Sequence, residues 1–329
     1  MPYIPERKPE EPAQVPVKQS GEDKQSSPKT VFRRMRPALV CLFAIAVVYG
    51  AVRLAGYGLE YAGSRETGRE LQTLYRETEA VPETQTMPPE KTAAPATAAA
   101  AVKLPETPVP EEAEKDELEA VPYPDNPDMK VPERFRRLRK KSRYIIGWLS
   151  LDNVDEAVAW KDNTYFLKHD ATGKRNSNGA IFLEEETNLL TRPYTLCLYG
   201  HNMKNGNMFG RLKKYLNQEY LFRHRIVTFD SMYENGQYAV FAAAEISTVP
   251  GNNRYYNLWS LYTKSREARE QAISRLTGLA ACDSMLDVRA DEQILLLVTC
   301  IGEDTDRLVV AARRLREGEG ENHLVFRKQ

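Results

Sequence analysis

The chain is poor in histidine and cysteine, with four of each in 329 residues. Cys41, Cys197, Cys282 and Cys300 show no CxxC spacing, which removes the usual signals of a structural zinc site and of a dithiol redox motif. Cys41 falls in an apolar run; the other three cannot all pair within one chain, so a monomer keeps at least one free thiol. A net charge is lacking too: 46 basic residues balance 46 acidic ones, and no positive excess argues for a nucleic-acid or polyanion partner. No period of the solenoid type is visible.

What is present is unevenly spread. Residues 1–30 are rich in Pro, Glu, Lys, Gln and Ser, with too few large apolar side chains to offset the entropy of folding, and residues 1–36 are expected to form a disordered cytoplasmic tail. From Pro37 to Leu59 only Arg53 interrupts an apolar run, which is long enough to span a bilayer if Arg53 snorkels to the headgroups. Arg33, Arg34 and Arg36 precede it, so the positive-inside rule predicts a single-pass anchor in the cell membrane, with a cytoplasmic amino terminus and the rest extracellular. A cleaved signal peptide is the rival reading; the long tail and the lack of an A-x-A site favour an uncleaved anchor. Residues 60–130 read as an extracellular stalk: a short helix near Leu71, Leu74 and Tyr75, then a Pro-punctuated Ala/Thr/Glu stretch from Pro82 to Pro127.

The globular part is expected over residues 131–329. Glu133–Ser142 has helical residues, with Phe135 and Leu138 on one face and a solvated basic face. Eight short apolar or β-favouring runs follow, beginning near Tyr144, Ala157, Ala180, Tyr194, Ile226, Tyr238, Ile294 and Leu308. Turns such as Asp152-Asn153, Asn178-Gly179 and Asn235-Gly236 separate several of them, a mainly β pattern that suits a barrel or a sandwich. Apolar residues from Tyr255 to Cys282 recur with helical spacing and predict one substantial helix between the last strands.

Cys300 ends the most apolar strand and meets a polar turn, where a thiol is held rigidly and still reached by substrate. Free cysteine is usually an inert core residue, and its neighbours change that balance. Arg307 opens the next strand, so a tight hairpin would bring its guanidinium beside the thiol to stabilise thiolate or oxyanion. His201 follows another strand through Gly200, in a loop dense in Gly and Asn; His169 and His224 lie among charged residues, and His323 is near the carboxyl end. A thiol and an imidazole at separate strand ends are the minimum for acyl transfer through a thioester. Cys197, inside an apolar strand, and Cys282, at a helix end, read as structural.

These segments resemble the sortases, class B in particular. Leu198-Tyr199-Gly200-His201-Asn202-Met203-Lys204-Asn205-Gly206-Asn207-Met208-Phe209 is similar to the family's histidine segment, and Leu296-Leu297-Val298-Thr299-Cys300 with Arg307-Leu308-Val309-Val310 to its cysteine and arginine strands. Trp148 and Gly179-Ala180-Ile181-Phe182-Leu183 match its early strands. Leu296 stands where the family usually has Thr, and the loop from Cys300 to Arg307 is slightly short. Tyr123-Pro124-Asp125-Asn126-Pro127-Asp128 offers no Asp-Pro-aromatic lid of the pilin-polymerising class.

The resemblance implies an eight-stranded sortase-type β-barrel with an N-terminal helix and a long helix inserted before the cysteine strand. It also implies a transpeptidase that needs no cofactor or metal. Cys300 would attack the peptide bond after the Thr of a C-terminal sorting signal on a secreted protein. His201 would protonate the leaving amine and deprotonate the incoming one, an amino group of a cell-wall precursor or pilin; Arg307 would hold the carbonyl oxygen or the signal. Thr299, Asn202 and Tyr255 are candidate substrate contacts. A hydrolytic cysteine protease and an idle binding module on the same barrel are the rival readings.

Overall fold

The computed structural model describes residues 28–77, 116–152, 154–302, 305–320 and Leu324. The expected tail before residue 28, the Pro-rich segment 78–115 and His323 lie outside these residues. Helix α1 runs from Pro28 to Glu77, taking in residues that composition had assigned to the tail and the stalk. One compact unit ends at Tyr57 and the other begins at Gly58. In the first, Val40, Leu42, Phe43, Ile45, Val47, Val48 and Val52 are all exposed, and the helix is long and apolar enough to cross a membrane.

The second unit carries α2 (Glu133–Lys141), whose Phe135 and Leu138 are buried as their spacing predicts. Strands β1 (Ile145–Leu151), β2 (Val154–Ala159), β3 (Ile181–Leu183) and β4 (Thr195–Tyr199) follow, then α3 (Gln218–Arg223), β5 (Ile226–Ser231), β6 (Gln237–Ser247), α4 (Arg266–Gly278), β7 (Ile294–Cys300) and β8 (Asp306–Arg314). The eight strands close into a barrel in the order β1-β2-β3-β4-β7-β8-β6-β5, which removes free sheet edges. Two neighbours are parallel, β2 with β3 and β4 with β7; both need crossover connections, and the second contains β5, β6 and α4.

The continuous apolar character of β7 has a two-sided cause. Leu295 and Leu297 point into the barrel core, whereas Ile294, Leu296 and Val298 belong to an outer cluster with Cys197, Val309, Ala311, Ala272, Ile273 and Leu276. Helix α4 thus covers the outside of the sheet, and both faces of the strand are dry. The predicted single helix over 255–282 is shorter and divided: a 3-10 turn at Leu258–Tyr262, capped by Asn257, precedes α4, which Ser265 caps by accepting from the Ala268 amide.

Residues 60–77 and 116–130, which composition placed in the stalk, lie against the barrel where they carry apolar side chains. Leu71, Tyr75, Leu118 and Tyr123 are buried. Tyr75 stacks on Trp148 with centroids 4.5 Å apart and donates its hydroxyl to Asp230 at 2.5 Å. Burial pushes the Asp155 carboxyl up, yet donors from Trp148, Gln72, Ser150 and Arg76 outweigh it and hold it below its ordinary value. Its neighbour Glu156 lines a cavity of about 280 Å³ beside α1, and burial, reinforced by the Asp155 charge, pushes its carboxyl up to about 7.

One buried arginine fastens the base of the parallel pair. Arg269 on α4 donates to the carbonyls of Tyr194 (2.7 Å), Ala290 (2.7 Å), Glu292 (3.1 Å) and Leu261, and to Thr195 Oγ1 (2.7 Å). It therefore joins the starts of β4 and β7 to the helix through a cage of neutral acceptors. Replacing it as Arg269→Met orphans several buried carbonyls and should lower unfolding free energy by about 3 kcal/mol or more, read as a drop in urea midpoint. Arg269→Lys should not restore it, because a single ammonium cannot span these acceptors. Glu156 gives a pH dependence of defined sign. The unfolded chain releases this proton near 4.5 and the folded chain keeps it to about 7, so stability falls as pH rises between these values and levels off above. Melting curves of Glu156→Gln should match the wild type at pH 4 and exceed it at pH 8.

Candidate active site

The register of three adjacent strands places the candidate residues. In the parallel pair, Tyr199 lies opposite Val298, and Gly200 N donates to the Val298 carbonyl at 3.2 Å. Carried on in step, His201 falls level with Cys300. In the antiparallel pair, Cys300 lies directly opposite Arg307. Alternation fixes the face: Val298 and Val309 belong to the outer cluster, so Cys300 and Arg307, two positions away, point outward as well. Cys300 and Arg307 thus stand side by side at one rim, just beyond the apolar cluster under α4, and Asn202, next to His201 in the chain, reaches the Cys300 carbonyl there. The Cys300 side chain is exposed.

His201 is held by local backbone. Its Nε2 lies 2.9 Å from the Leu167 carbonyl; a carbonyl only accepts, so Nε2 carries the proton and Nδ1 the lone pair of the neutral ring. Gly179, at φ +65°, backs onto the ring, and a Cβ there would come within 2.9 Å of His201 Cδ2 and 2.5 Å of the Phe166 carbonyl. The loop after the histidine closes on itself: Phe209 N donates to the His201 carbonyl at 3.0 Å, and buried Phe209 packs against Gly200, where a Cβ would meet its ring at 2.8 Å. A main-chain oxygen therefore orients this histidine. Only the Asn178-Gly179 turn signalled that site in advance.

The three candidate substrate contacts occupy different places. Asn202 is exposed and its Nδ2 donates to the Cys300 carbonyl at 3.1 Å, tying the histidine loop to the cysteine. Thr299 is buried and its hydroxyl donates to the Gly200 carbonyl at 2.7 Å; strand alternation turns it away from the rim face, so it fastens β7 to β4. Tyr255 is bridged to Ser247, which lies opposite Asp306 on β8, so its loop borders the arginine end of the row. Asp306 pairs with Arg254 at 3.0 Å, and Arg307 Nη1 donates to the Asp306 carbonyl at 2.9 Å.

With this geometry in place, comparison with known proteins is decisive. The sequence model of the sortase domain matches residues 156–315. Sortase B of Listeria monocytogenes is 27% identical over 200 residues, covering 59% of this chain and 76% of the relative. The chain belongs to the sortase family, in its class B. Sortase B of Staphylococcus aureus is 26% identical over 192 residues, covering 56% of this chain and 76% of its own. A crystal structure of Staphylococcus aureus sortase B superposes with a TM-score of 0.50 at 25% identity, covering 57% of this chain and 90% of that one. A substrate complex of that enzyme shares the fold with a TM-score of 0.57 at 20% identity, covering 78% and 99%. The closed eight-stranded barrel with its N-terminal helix is therefore the sortase B fold, and the chain is a sortase-type cysteine transpeptidase.

Two other thiols of this sortase, Cys197 and Cys282, differ sharply from Cys300 in access. Cys197 is buried, which pushes its thiol up to about 12; Cys282 is buried with its Sγ 3.1 Å from the Leu216 carbonyl. Of the cysteines from residue 58 onward, brief treatment of the folded chain with iodoacetamide should alkylate Cys300 and spare Cys197 and Cys282. Peptide mapping by mass spectrometry checks this; modification of Cys197 before Cys300 would contradict the burial pattern.

Proposed function

We propose that this sortase is a membrane-anchored enzyme that cleaves a C-terminal sorting signal after Thr and joins the new end to an amine of the cell wall or of a pilin. The observation that carries this reading is the rim where Cys300 lies opposite Arg307 and the histidine loop following β4 is tied to the Cys300 carbonyl by Asn202. In this reading the Cys300 thiolate adds to the scissile carbonyl, and Arg307 stabilises the oxyanion or holds the signal. The C–N bond breaks as His201 gives its proton to the leaving amine, and a thioester remains on Cys300. An incoming amine loses a proton to His201 as it attacks; the new amide forms and the thiolate is released, so the same imidazole serves as acid and then base.

Asn202 supports this constellation by pinning the Cys300 carbonyl, and Tyr255 borders the place where the signal would run. The apolar run from Pro37 to Leu59 within α1, preceded in sequence by Arg33, Arg34 and Arg36, supports a single-pass anchor with the catalytic unit outside. Secreted proteins bearing sorting signals are then the substrates.

The test uses the full chain in detergent, because residues 60–77 and 116–130 pack on the barrel. Mixed with Asn-Pro-x-Thr and Leu-Pro-x-Thr peptides, the wild type should acquire a peptide-sized thioester adduct that Cys300→Ala does not. Added oligoglycine or diamino acid should convert the adduct to a new amide. Release of free acid alone at saturating amine would favour a hydrolase, and no adduct from folded protein would leave a binding module.

A further inference from the structure

The hydrogen bonds that orient His201 can be followed outward through three layers, and they end on helix α1. The innermost layer is the Leu167 carbonyl that accepts His201 Nε2. Its two neighbours in the chain are both stitched to one turn: the Phe166 carbonyl accepts from Ala180 N at 3.0 Å, and the Lys168 carbonyl accepts from Asn176 N at 2.8 Å. That turn also supplies Gly179, which presses on the imidazole. The turn is braced internally, with Gly179 N donating to the Asn176 carbonyl at 3.1 Å and Asn178 N to Asn176 Oδ1 at 2.9 Å. Both contacts to the ring, acceptor and backing, therefore move with residues 176–180.

The outermost layer is a single hydroxyl. Ser64 Oγ accepts from Asn176 Nδ2 and, at 3.0 Å, from Asn178 Nδ2, while donating to the Glu60 carbonyl at 3.0 Å. One donor and two acceptor positions are all a serine has, and all are used. Ser177 adds a second tie, donating to Glu60 Oε2 at 2.6 Å. Asn176 is buried, so its amide loses a partner that water replaces poorly if Ser64 is removed.

We propose that Ser64 is a positioning residue for His201, holding the 176–180 turn so that the imidazole keeps its proton on Nε2 and offers Nδ1 to the reaction. Ser64 lies outside the matched domain at 156–315, so part of the active-site support comes from a helix that the domain alone does not contain. The inference rests on His201 as the acid and base of the proposed transfer.

The experiment compares wild type, Ser64→Ala and Ser64→Thr as full chains in detergent, with two readouts. Nitrogen-15 NMR of labelled histidine, with His201 assigned through His201→Gln, reports the tautomer. Steady-state transpeptidation reports kcat and KM separately. Ser64→Ala should mix the two tautomers at His201 and lower kcat roughly tenfold with KM for the signal peptide within about twofold; Ser64→Thr, which keeps the hydroxyl, should restore both. An unchanged Nε2–H tautomer with unchanged kcat in Ser64→Ala overturns the proposal. A wild type that forms no thioester refutes the transferase reading instead, and the tautomer comparison still decides the positioning role. Should Ser64→Ala fail to fold, Asn178→Ala removes one of the two amides from the barrel side and is read the same way.

Discussion

The parallel pairing of β4 with β7 is the constraint on which the site depends. Parallel neighbours cannot be joined by a hairpin, so nothing local in sequence sets their register; the chain between Tyr199 and Ile294 is free to slip unless side chains prevent it. A slip of one residue would turn Cys300 to the opposite face from His201. The pair is fixed at both ends. At its base Arg269 gathers Tyr194, Thr195, Ala290 and Glu292, and at its rim Thr299 reaches the Gly200 carbonyl while Asn202 reaches the Cys300 carbonyl. Between them, the apolar contacts on both faces of β7 exclude alternatives that would strand Leu295 or Leu296 in the wrong layer.

The same two-sided burial explains where chemistry is possible. Along β7 every side chain from Ile294 to Thr299 is buried, and Cys300 is the first to reach solvent. A thiol one step earlier on that face would resemble Cys197, whose burial disfavours the thiolate. The rim therefore separates an inert cysteine environment from a reachable one within the length of a strand, and Arg307 joins there because the β7–β8 hairpin pairs it with Cys300.

Much of this was legible in the chain. All eight strands announced themselves as apolar runs, because β-propensity and burial agreed there, and α2 was read from two residues on one face. Cys300, His201 and Arg307 stood out by chemical type at strand ends and by resemblance to the sortases. Less legible were features made by distant segments. Thr299, a candidate substrate contact, is buried with its hydroxyl on the Gly200 carbonyl, a partner that nothing in the sequence around it indicated. Arg269 carried no signal of its own in the sequence, since its five acceptors come from three other segments. Residues 60–77 and 116–130 were assigned to a stalk because charge and proline outnumber their few apolar residues, yet Leu71, Tyr75, Leu118 and Tyr123 suffice to dock them.

The orienting group of His201 bears on how one imidazole would serve the two opposite proton transfers of the proposed cycle. A carboxylate partner fixes the ring and also stabilises the imidazolium strongly, which suits an enzyme whose histidine chiefly removes a proton from its nucleophile. A neutral carbonyl such as that of Leu167 fixes the ring with a partial charge, stabilising the cation far less. In the proposed cycle the imidazolium must give its proton to a leaving amine and the neutral ring must take one from an entering amine of similar basicity. The dependence on a backbone oxygen shifts the burden of precision to whatever holds that oxygen, and here the burden falls on the 176–180 turn and the helix hydroxyl beneath it.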